Sequence, residues 1–451
     1  MEKETSTIFA PATPVGETSI LVIRISGKEA FSASEKIFSK NQDKFSRIYI
    51  GFLKSHTAHH GFIFDGDEVI DEVVITIFKS PNSYTGEDVV EISSHGGRIV
   101  FKKISELLVR CGLKHAGPGE FSKRAYLNGK IDLTQAEAIA DLIKAKTELS
   151  YKAAKNQLRG VISSKINNLR DELINICSLV ELEIDFTEEG LEIIDKQSLI
   201  SKFDNITNIM HNLANSYQSG RIIRDGINLT ISGKPNAGKS SLFNYLLNDS
   251  RAIVSEIPGT TRDYIQEPLI LGGFVFNLID TAGIRTSADP VEQIGVSKTF
   301  EKIEQADIMI NLIDLTELDC LKEFTLNNED WITVYNKCDL VNVQNNDIFL
   351  ISAKTGFNID KLEKMIIQKA KELIKGDINS EIYITSERHR DLLLKSCEYL
   401  VKAKNLVSEG KGNELISIEI REALNALSEI IGKTTNVDIL NNIFSKFCIG
   451  K

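Results

Sequence analysis

None of the six cysteines (Cys111, Cys177, Cys320, Cys338, Cys397 and Cys448) stands in a C-x-x-C pair. This argues against a disulfide framework and for a reducing compartment. The chain has no N-terminal signal pattern and no long uncharged apolar run. The expectation is a soluble, cytoplasmic protein with no membrane span. An excess of positive charge is also missing: 53 Lys and Arg face 63 Asp and Glu, for a net charge of −10. Such a chain is not a generic nucleic-acid binder, so any RNA contact should be local or come through a partner. His56, His59 and His60 cluster without a matching group of Cys or His elsewhere. They read as a surface loop rather than a metal site. Cys448-Ile449-Gly450-Lys451 has the register of a prenylation box, but Gly450 and Lys451 are poor final residues, which excludes lipidation. No internal repeat or low-complexity tract is present.

What the chain does have is Gly233-Lys234-Pro235-Asn236-Ala237-Gly238-Lys239-Ser240. It fits the phosphate-binding pattern G-x-x-x-x-G-K-[ST], between a predicted strand, Ile227 to Ser232, and a predicted helix from Ser241 to Leu247. Glycines let backbone N–H groups face phosphate oxygens, and the helix N-terminus adds partial positive charge. Lys239 would neutralise the β- and γ-phosphates, and Ser240 would ligate Mg²⁺. Three further elements follow in the order a GTPase requires. Asp280-Thr281-Ala282-Gly283 ends an apolar run, Phe274 to Ile279. Asn336-Lys337-Cys338-Asp339 ends a strand from Ile332 to Tyr335. The Asp339 carboxylate only accepts, so it suits guanine N1–H and the exocyclic amine and opposes the acceptor N1 of adenine. Ser352-Ala353-Lys354 ends a strand from Ile348 to Ile351 and fits the base-contacting backbone of the same class. Thr260-Thr261-Arg262-Asp263 stands where switch I should lie, with Thr261 as second Mg²⁺ ligand.

Ras-like enzymes place a water-orienting Gln just after Asp-x-x-Gly, where this chain has Ile284. Another residue must place the water, and Asp289 and Glu292 are the candidates. Positive charge must replace an arginine finger. A monovalent cation held by Asn236 and by carbonyls of Ser255, Ile257 and Thr260 would serve, with Arg262 and Arg285 as rivals.

At 451 residues the chain allows about three domains. The N-terminal part reads as mixed α/β, with strands at Ile20 to Ile25, Val69 to Phe78 and Val89 to Ser93 and a helix from Arg98 to Arg110. Gly117-Pro118-Gly119 breaks it. From Leu133 to about Ser219 there is no proline, and apolar residues recur at helical spacing, as in Ile139, Leu142, Ile143 and Leu173, Ile176, Val180. Ser386 to Lys451 is helical again, with Leu424, Leu427, Ile430 and Ile431 spaced for burial. Long amphipathic helices need a partner face, so the two stretches read as one bundle interrupted by the nucleotide module.

The order of these parts resembles the MnmE (TrmE) family of tRNA modification GTPases over essentially the whole chain. Its most specific points are Ala12-Thr13-Pro14 with Arg24-Ile25-Ser26-Gly27, and Ser83-Tyr84-Thr85-Gly86-Glu87-Asp88-Val89. Equally telling are Pro118-Gly119-Glu120-Phe121-Ser122 with Arg124-Ala125 and Leu127-Asn128, and the terminal Phe447-Cys448-Ile449-Gly450-Lys451. The resemblance implies a multidomain α/β plus all-α fold. A tetrahydrofolate-binding and dimerisation domain would span 1–120. A helical bundle, 121–223 and 377–451, would be interrupted by a Ras-like P-loop G domain at 224–376.

It also implies a homodimer that acts with the flavoprotein MnmG (GidA) to place a carboxymethylaminomethyl-type group on C5 of the wobble uridine of certain tRNAs. Family folate contacts, to 5-formyltetrahydrofolate or a relative, fall on Arg24, Glu87, Lys130 and Lys451. Potassium falls on Asn236, Ser255, Ile257 and Thr260, and the catalytic glutamate is Glu292, which displaces Asp289. The implied GTP contacts are Asn236, Ala237, Gly238, Lys239, Ser240 and Ser241, then Ser255, Glu256, Ile257, Pro258, Gly259, Thr260 and Thr261. They continue through Asp280, Thr281, Ala282 and Gly283 to Asn336, Lys337, Asp339, Ser352, Ala353 and Lys354. Cys448 has the look of a redox nucleophile, though a packed thiol fits equally. Two other classes compete: a ribosome-assembly GTPase, which should carry a basic appendage, and a non-enzymatic folate-binding scaffold, which the intact Lys239, Ser240, Thr261 and Asp280 oppose.

Overall fold

The computed structural model describes residues 6–43, 45–46, 48–185, 195–249, 266–280, 306–316, 331–341, 348–374, 382–434 and 436–451. It divides into two bodies, one of residues 1–140, 158–170 and 424–451, the other of 141–157 and 171–423.

In chain order the first elements are β1 (Ile8–Pro11), β2 (Ile20–Ser26), α1 (Ala30–Ile37), β3 (Phe38–Ser39), β4 (Thr57–Asp65) and β5 (Glu68–Phe78). Then come β6 (Val89–His95), α2 (Arg98–Arg110), β7 (Lys114–His115) and α3 (Glu120–Leu127). A helical run follows: α4 (Leu133–Lys144), α5 (Glu148–Leu158), α6 (Val161–Asp185), α7 (Lys196–Asn215) and α8 (Tyr217–Asp225). The next elements are β8 (Ile227–Ser232), α9 (Lys239–Asp249), β9 (Gln266–Leu271), β10 (Phe274–Asp280), β11 (Ile308–Asp314), β12 (Trp331–Asn336) and α10 (Ile359–Leu373). Last are α11 (Glu387–Ser408), α12 (Asn413–Ile430) and α13 (Val437–Ser445).

The first body holds a seven-stranded sheet of order β3-β4-β5-β6-β2-β1-β7. Alternation along its strands sorts residues between two faces. Leu21, Ile23 and Ile25 join Val73, Ile75, Val90 and Ile92 against Ala33 and Ile37 of α1 and Ile104 and Leu108 of α2. From β1, Ile8 and Ala10 go to the other face and meet Ala116 and Phe121. The C-terminal segment belongs to this same body: Leu440, Phe444 and Phe447 pack on Leu133 and Ala136. The Gly119 N–H donates to the Cys448 carbonyl at 3.3 Å.

Two local expectations differ from what is observed. His59 and His60 lie on β4, not in a loop, bonded to Thr57 Oγ1 at 2.8 Å and Glu72 Oε1 at 2.7 Å. Pairing with the apolar β5 draws a polar half-strand into the sheet, a tertiary override of local propensity. Among the described residues no group of three or more His, Cys, Asp or Glu could hold a metal. On α4, Ile143 is 50% exposed, because the buried stripe is Leu133, Thr134, Ala136 and Ala138.

In the second body a five-stranded sheet has the order β12-β11-β8-β10-β9. Strands β12, β11, β8 and β10 are parallel, and β9 is an antiparallel edge. Strand β11 is a nearly continuous apolar run, as expected of a strand covered on both faces, while β8 alternates apolar and polar residues and still buries Thr230. Helix α10 buries Ile359, Leu362, Ile366 and Ala370, one stripe at helical spacing. Helices from before and after the sheet pack together: α7 supplies Phe203, Ile206 and Met210, and α11 supplies Leu393, Cys397 and Leu400. Where the chain leaves the sheet, the Ile384 N–H donates to Ser216 Oγ at 3.0 Å, and Thr385 Oγ1 donates to Gln157 Oε1 at 3.2 Å. A helical bundle interrupted by an inserted parallel-sheet module is therefore the observed architecture.

Burial pushes the Cys397 thiol up to about 11. At pH 8 about one such thiol in a thousand is ionised. Cys448 is exposed. In the native protein a disulfide reagent should label Cys448 within minutes and Cys397 only after denaturant is added, as mass spectrometry of the digest would show. Early labelling of Cys397 would mean that α7 and α11 part readily.

Candidate nucleotide site

Strands β8, β10, β11 and β12 run parallel, so their C-terminal ends share one edge of the sheet. Ile231 is level with Asp280, Asn311 with Ser232, and Asp314 with Asn336. After β8 the chain builds β9 and β10 on one side and β11 and β12 on the other. The edge above β8 is thus a topological switch point, the crevice where open parallel sheets bind ligands. The phosphate-loop pattern leaves β8 at this point and runs into the N-terminus of α9.

Inside that loop Asn236 takes a left-handed backbone, φ 66°, which asparagine tolerates better than most residues. Gly238 has φ 96°, and a Cβ there would collide with Asn336 Nδ2. Only glycine lets the loop and the end of β12 approach this closely. Lys239 Nζ reaches back to the carbonyls of Gly233 and Lys234 at 2.7 and 2.9 Å. Its ammonium is thereby held across the loop, where a phosphate is its natural counterion. Ser240 and Ser241 are exposed in the first turn of α9.

Asn336 is the joint of the site. It is 3% exposed. Its Nδ2 donates to the Ala237 carbonyl at 2.8 Å, and its Oδ1 accepts from the Ala353 N–H at 2.9 Å. One side chain thus ties the phosphate loop to the segment expected to hold the base. Ser352 Oγ donates to Asp339 Oδ1 at 2.7 Å, which fixes the carboxylate plane. Lys354 is exposed beside it. The expected strand at 348–351 is reduced to one bridge, Tyr335 to Leu350, because the chain turns at once from Ser352 to Gly356.

The remaining sequence-selected nucleotide residues lie outside the described residues: Ser255, Glu256, Ile257, Pro258, Gly259, Thr260, Thr261, Thr281, Ala282, Gly283 and Glu292. For Asp280 only the backbone register is described.

The chain matches the model of the TrmE N-terminus, described as a GTP-binding protein, over residues 7–130, and the MnmE helical domain over 133–448. A Flavobacterium johnsoniae protein named tRNA modification GTPase MnmE is 42% identical, with 98% of this chain and 99% of that protein covered. A Caldicellulosiruptor saccharolyticus protein of the same name is 41% identical, with 99% of this chain and 100% of that protein covered. The chain belongs to the MnmE family of tRNA modification GTPases. Among solved structures, the G domain of the T. maritima FeoB iron transporter is 23% identical over 32% of this chain and 98% of its own, at a TM-score of 0.24.

A second polar cluster lies in the first body of this chain. Arg24 of β2 stands opposite Glu91 of β6 and donates to it at 2.8 Å. It also donates to the Gly450 carbonyl at 3.3 Å, and its guanidinium lies 5.2 Å from the Tyr84 ring centre and 5.7 Å from that of Phe121. Glu87 accepts from Ser26 Oγ at 2.8 Å and from the nearly buried Arg124 at 3.2 Å. Burial pushes the Tyr84 hydroxyl up, against the pull of Ser122 and Arg24. Lys130 Nζ donates to the Pro81 carbonyl at 3.0 Å and is exposed. Lys451 follows Gly450 directly. Sequence reasoning missed Glu91 and Arg124 as members of this cluster. Arg124 sat in a motif already singled out, while Glu91 is found only from the β2–β6 register.

Proposed function

We propose that this protein hydrolyses GTP in the crevice above β8 and uses the cycle to modify C5 of the wobble uridine of certain tRNAs together with the flavoprotein MnmG. The observation that carries the reading is Asn336, which bonds the phosphate loop and the Ala353 segment at once. That link suits a ligand with a phosphate end and a base end. The cradle at Gly238 and the exposed first turn of α9 fit Mg²⁺–nucleotide, with Ser240 and Thr261 as the protein ligands to the metal. Potassium would be held by Asn236 with carbonyls of Ser255, Ile257 and Thr260, and would supply the charge of an arginine finger. Glu292 would orient the attacking water.

In the N-terminal module the paired charges and flanking rings fit a flat polar heterocycle with a carboxylate tail, such as a tetrahydrofolate. Arg24, Glu87, Lys130 and Lys451 are the residues for it, in a cytoplasmic homodimer. The domain bounds 1–120, 121–223, 224–376 and 377–451 belong to the same proposal.

The test is mass spectrometry of tRNA nucleosides from cells with and without the gene. The modified wobble uridine should vanish on deletion and return with the wild type but not with Glu292→Ala. An unchanged profile would remove the tRNA role. Purified protein should turn over GTP at least about tenfold faster in potassium than in sodium, a gap of about 1.4 kcal/mol in barrier. Asn236→Ala should erase that difference, and equal rates for the parent protein would sink the cation assignment.

A further inference from the structure

We propose that Asp314 is a positioning residue for guanine recognition, holding Lys337 stretched along the base-binding edge of the sheet. The inference rests on the GTP site proposed above and assigns a role to a strand end that no motif covers.

Asp314 is the last residue of β11 and stands level with Asn336 of β12. Its side chain is 6% exposed. One carboxylate oxygen, Oδ1, accepts from the Thr316 N–H at 2.9 Å and from Thr316 Oγ1 at 2.7 Å. The other, Oδ2, accepts from the Lys337 ammonium. The adjacent backbone is closed as well, since the Leu315 N–H donates to the Asn336 carbonyl at 3.1 Å. Burial pushes this carboxyl up, and Lys337 with the two Thr316 donors outweighs it, so the group sits below the usual carboxylate range.

Lys337 adopts φ 68°, a conformation unfavourable for a residue with a Cβ. Burying a carboxylate is unfavourable too unless it is paired and fully bonded. Both costs are met at one place, and what they achieve is a fixed lysine. With its ammonium pinned to Asp314, the four-carbon stem is drawn out between the two strand ends. A lysine stem held flat offers an apolar face, against which a planar base can lie. Its neighbours are tethered in the same manner. Asn336 is held by Ala237 and Ala353, and Asp339 is held by Ser352. Each of the three side chains in Asn336-Lys337-Cys338-Asp339 that would face a nucleotide therefore has its own anchor, and Asp314 is the anchor of Lys337.

A double-mutant cycle on the full-length protein tests this, with a fluorescent GDP analogue as probe and an ADP analogue as control. Asp314→Asn should weaken GDP about tenfold, the size of one lost charge-assisted bond. In a Lys337→Ala background the same change should alter the affinity by less than about twofold, because the residue it acts through is gone. Equal losses in both backgrounds would overturn the proposal and leave Asp314 a structural cap on β11. Should Asp314→Asn not fold, Thr316→Val decides. It removes one bond to Oδ1 and keeps both charges, and it should weaken GDP about threefold only where Lys337 is present. Wild-type protein that binds ADP as well as GDP would refute the underlying site instead, which separates the two failures.

Discussion

Asn336→Ala is expected to weaken guanine-nucleotide binding by at least about a hundredfold and to lower the melting temperature as well. The reason is the geometry of a single buried amide. Removing it leaves the Ala237 carbonyl and the Ala353 N–H without their partner. Each buried polar group so orphaned costs about 1–3 kcal/mol. The phosphate loop loses its tie to the end of β12, and the Ala353 segment loses its tie to the loop. Asn336→Asp makes a sharper probe. It keeps an acceptor for Ala353 but turns a second carboxylate oxygen toward the Ala237 carbonyl, so it should be no better than alanine at neutral pH. Titration calorimetry with GDP gives the affinity, and a thermal melt in the absence of nucleotide gives the stability. Near wild-type affinity for Asn336→Ala would mean that the two loops are ordered independently, and the single observation carrying the functional reading would fall.

The phosphate loop and its flanking strand were plain in the sequence because local rules govern them. Ile227 to Ser232 alternates apolar and polar residues over a strand's length up to Gly233, and it is observed as β8. Arg98 to Arg110 has helical spacing and is α2 at those same ends. Strand β9 is marked only by Gly272-Gly273 between two short apolar runs, a hairpin signal that the antiparallel β9–β10 pair fulfils. What the sequence concealed is pairwise. Asn336 is recognisable as a motif residue, but its partners lie 99 and 17 positions away. Nothing local marks Ala237 as an acceptor. Asp314 ends an apolar strand and matches no pattern, so only the β11–β12 register brings it to Lys337. The Arg24–Glu91 pair depends in the same way on the β2–β6 register. Periodicity reveals which face a residue takes, and not which residue meets it across the sheet.

The C-terminal segment makes a second prediction nearly as large. Gly119 has a left-handed backbone, φ 64°, and caps α3. A Cβ there would stand 2.6 Å from the Phe444 carbonyl oxygen and 3.0 Å from the Phe447 Cβ. The Gly119 N–H also holds the Cys448 carbonyl. Gly119→Ala must therefore move either α3 or the end of α13. The end of α13 from Phe444 onward is the part to move, since α3 is seated by the fully buried Phe121 and Ala125. Its displacement uncovers Phe444 and Phe447, whose burial is worth about 1.5–3 kcal/mol each. Left-handed strain on an alanine adds about 1 kcal/mol. A loss of roughly 3 kcal/mol is expected, with hydrogen-exchange protection falling across 437–450. Because the Gly450 carbonyl accepts from Arg24, the polar cluster around Arg24 should loosen with it. Gly117→Ala is the control. A Cβ at that position meets only Glu120 Oε2, at 3.7 Å, and should change stability by less than about 0.5 kcal/mol. Equal effects from the two alanines would show that the turn tolerates no side chain at all. A silent Gly119→Ala would mean that the terminal segment is not seated where Phe444 and Cys448 place it.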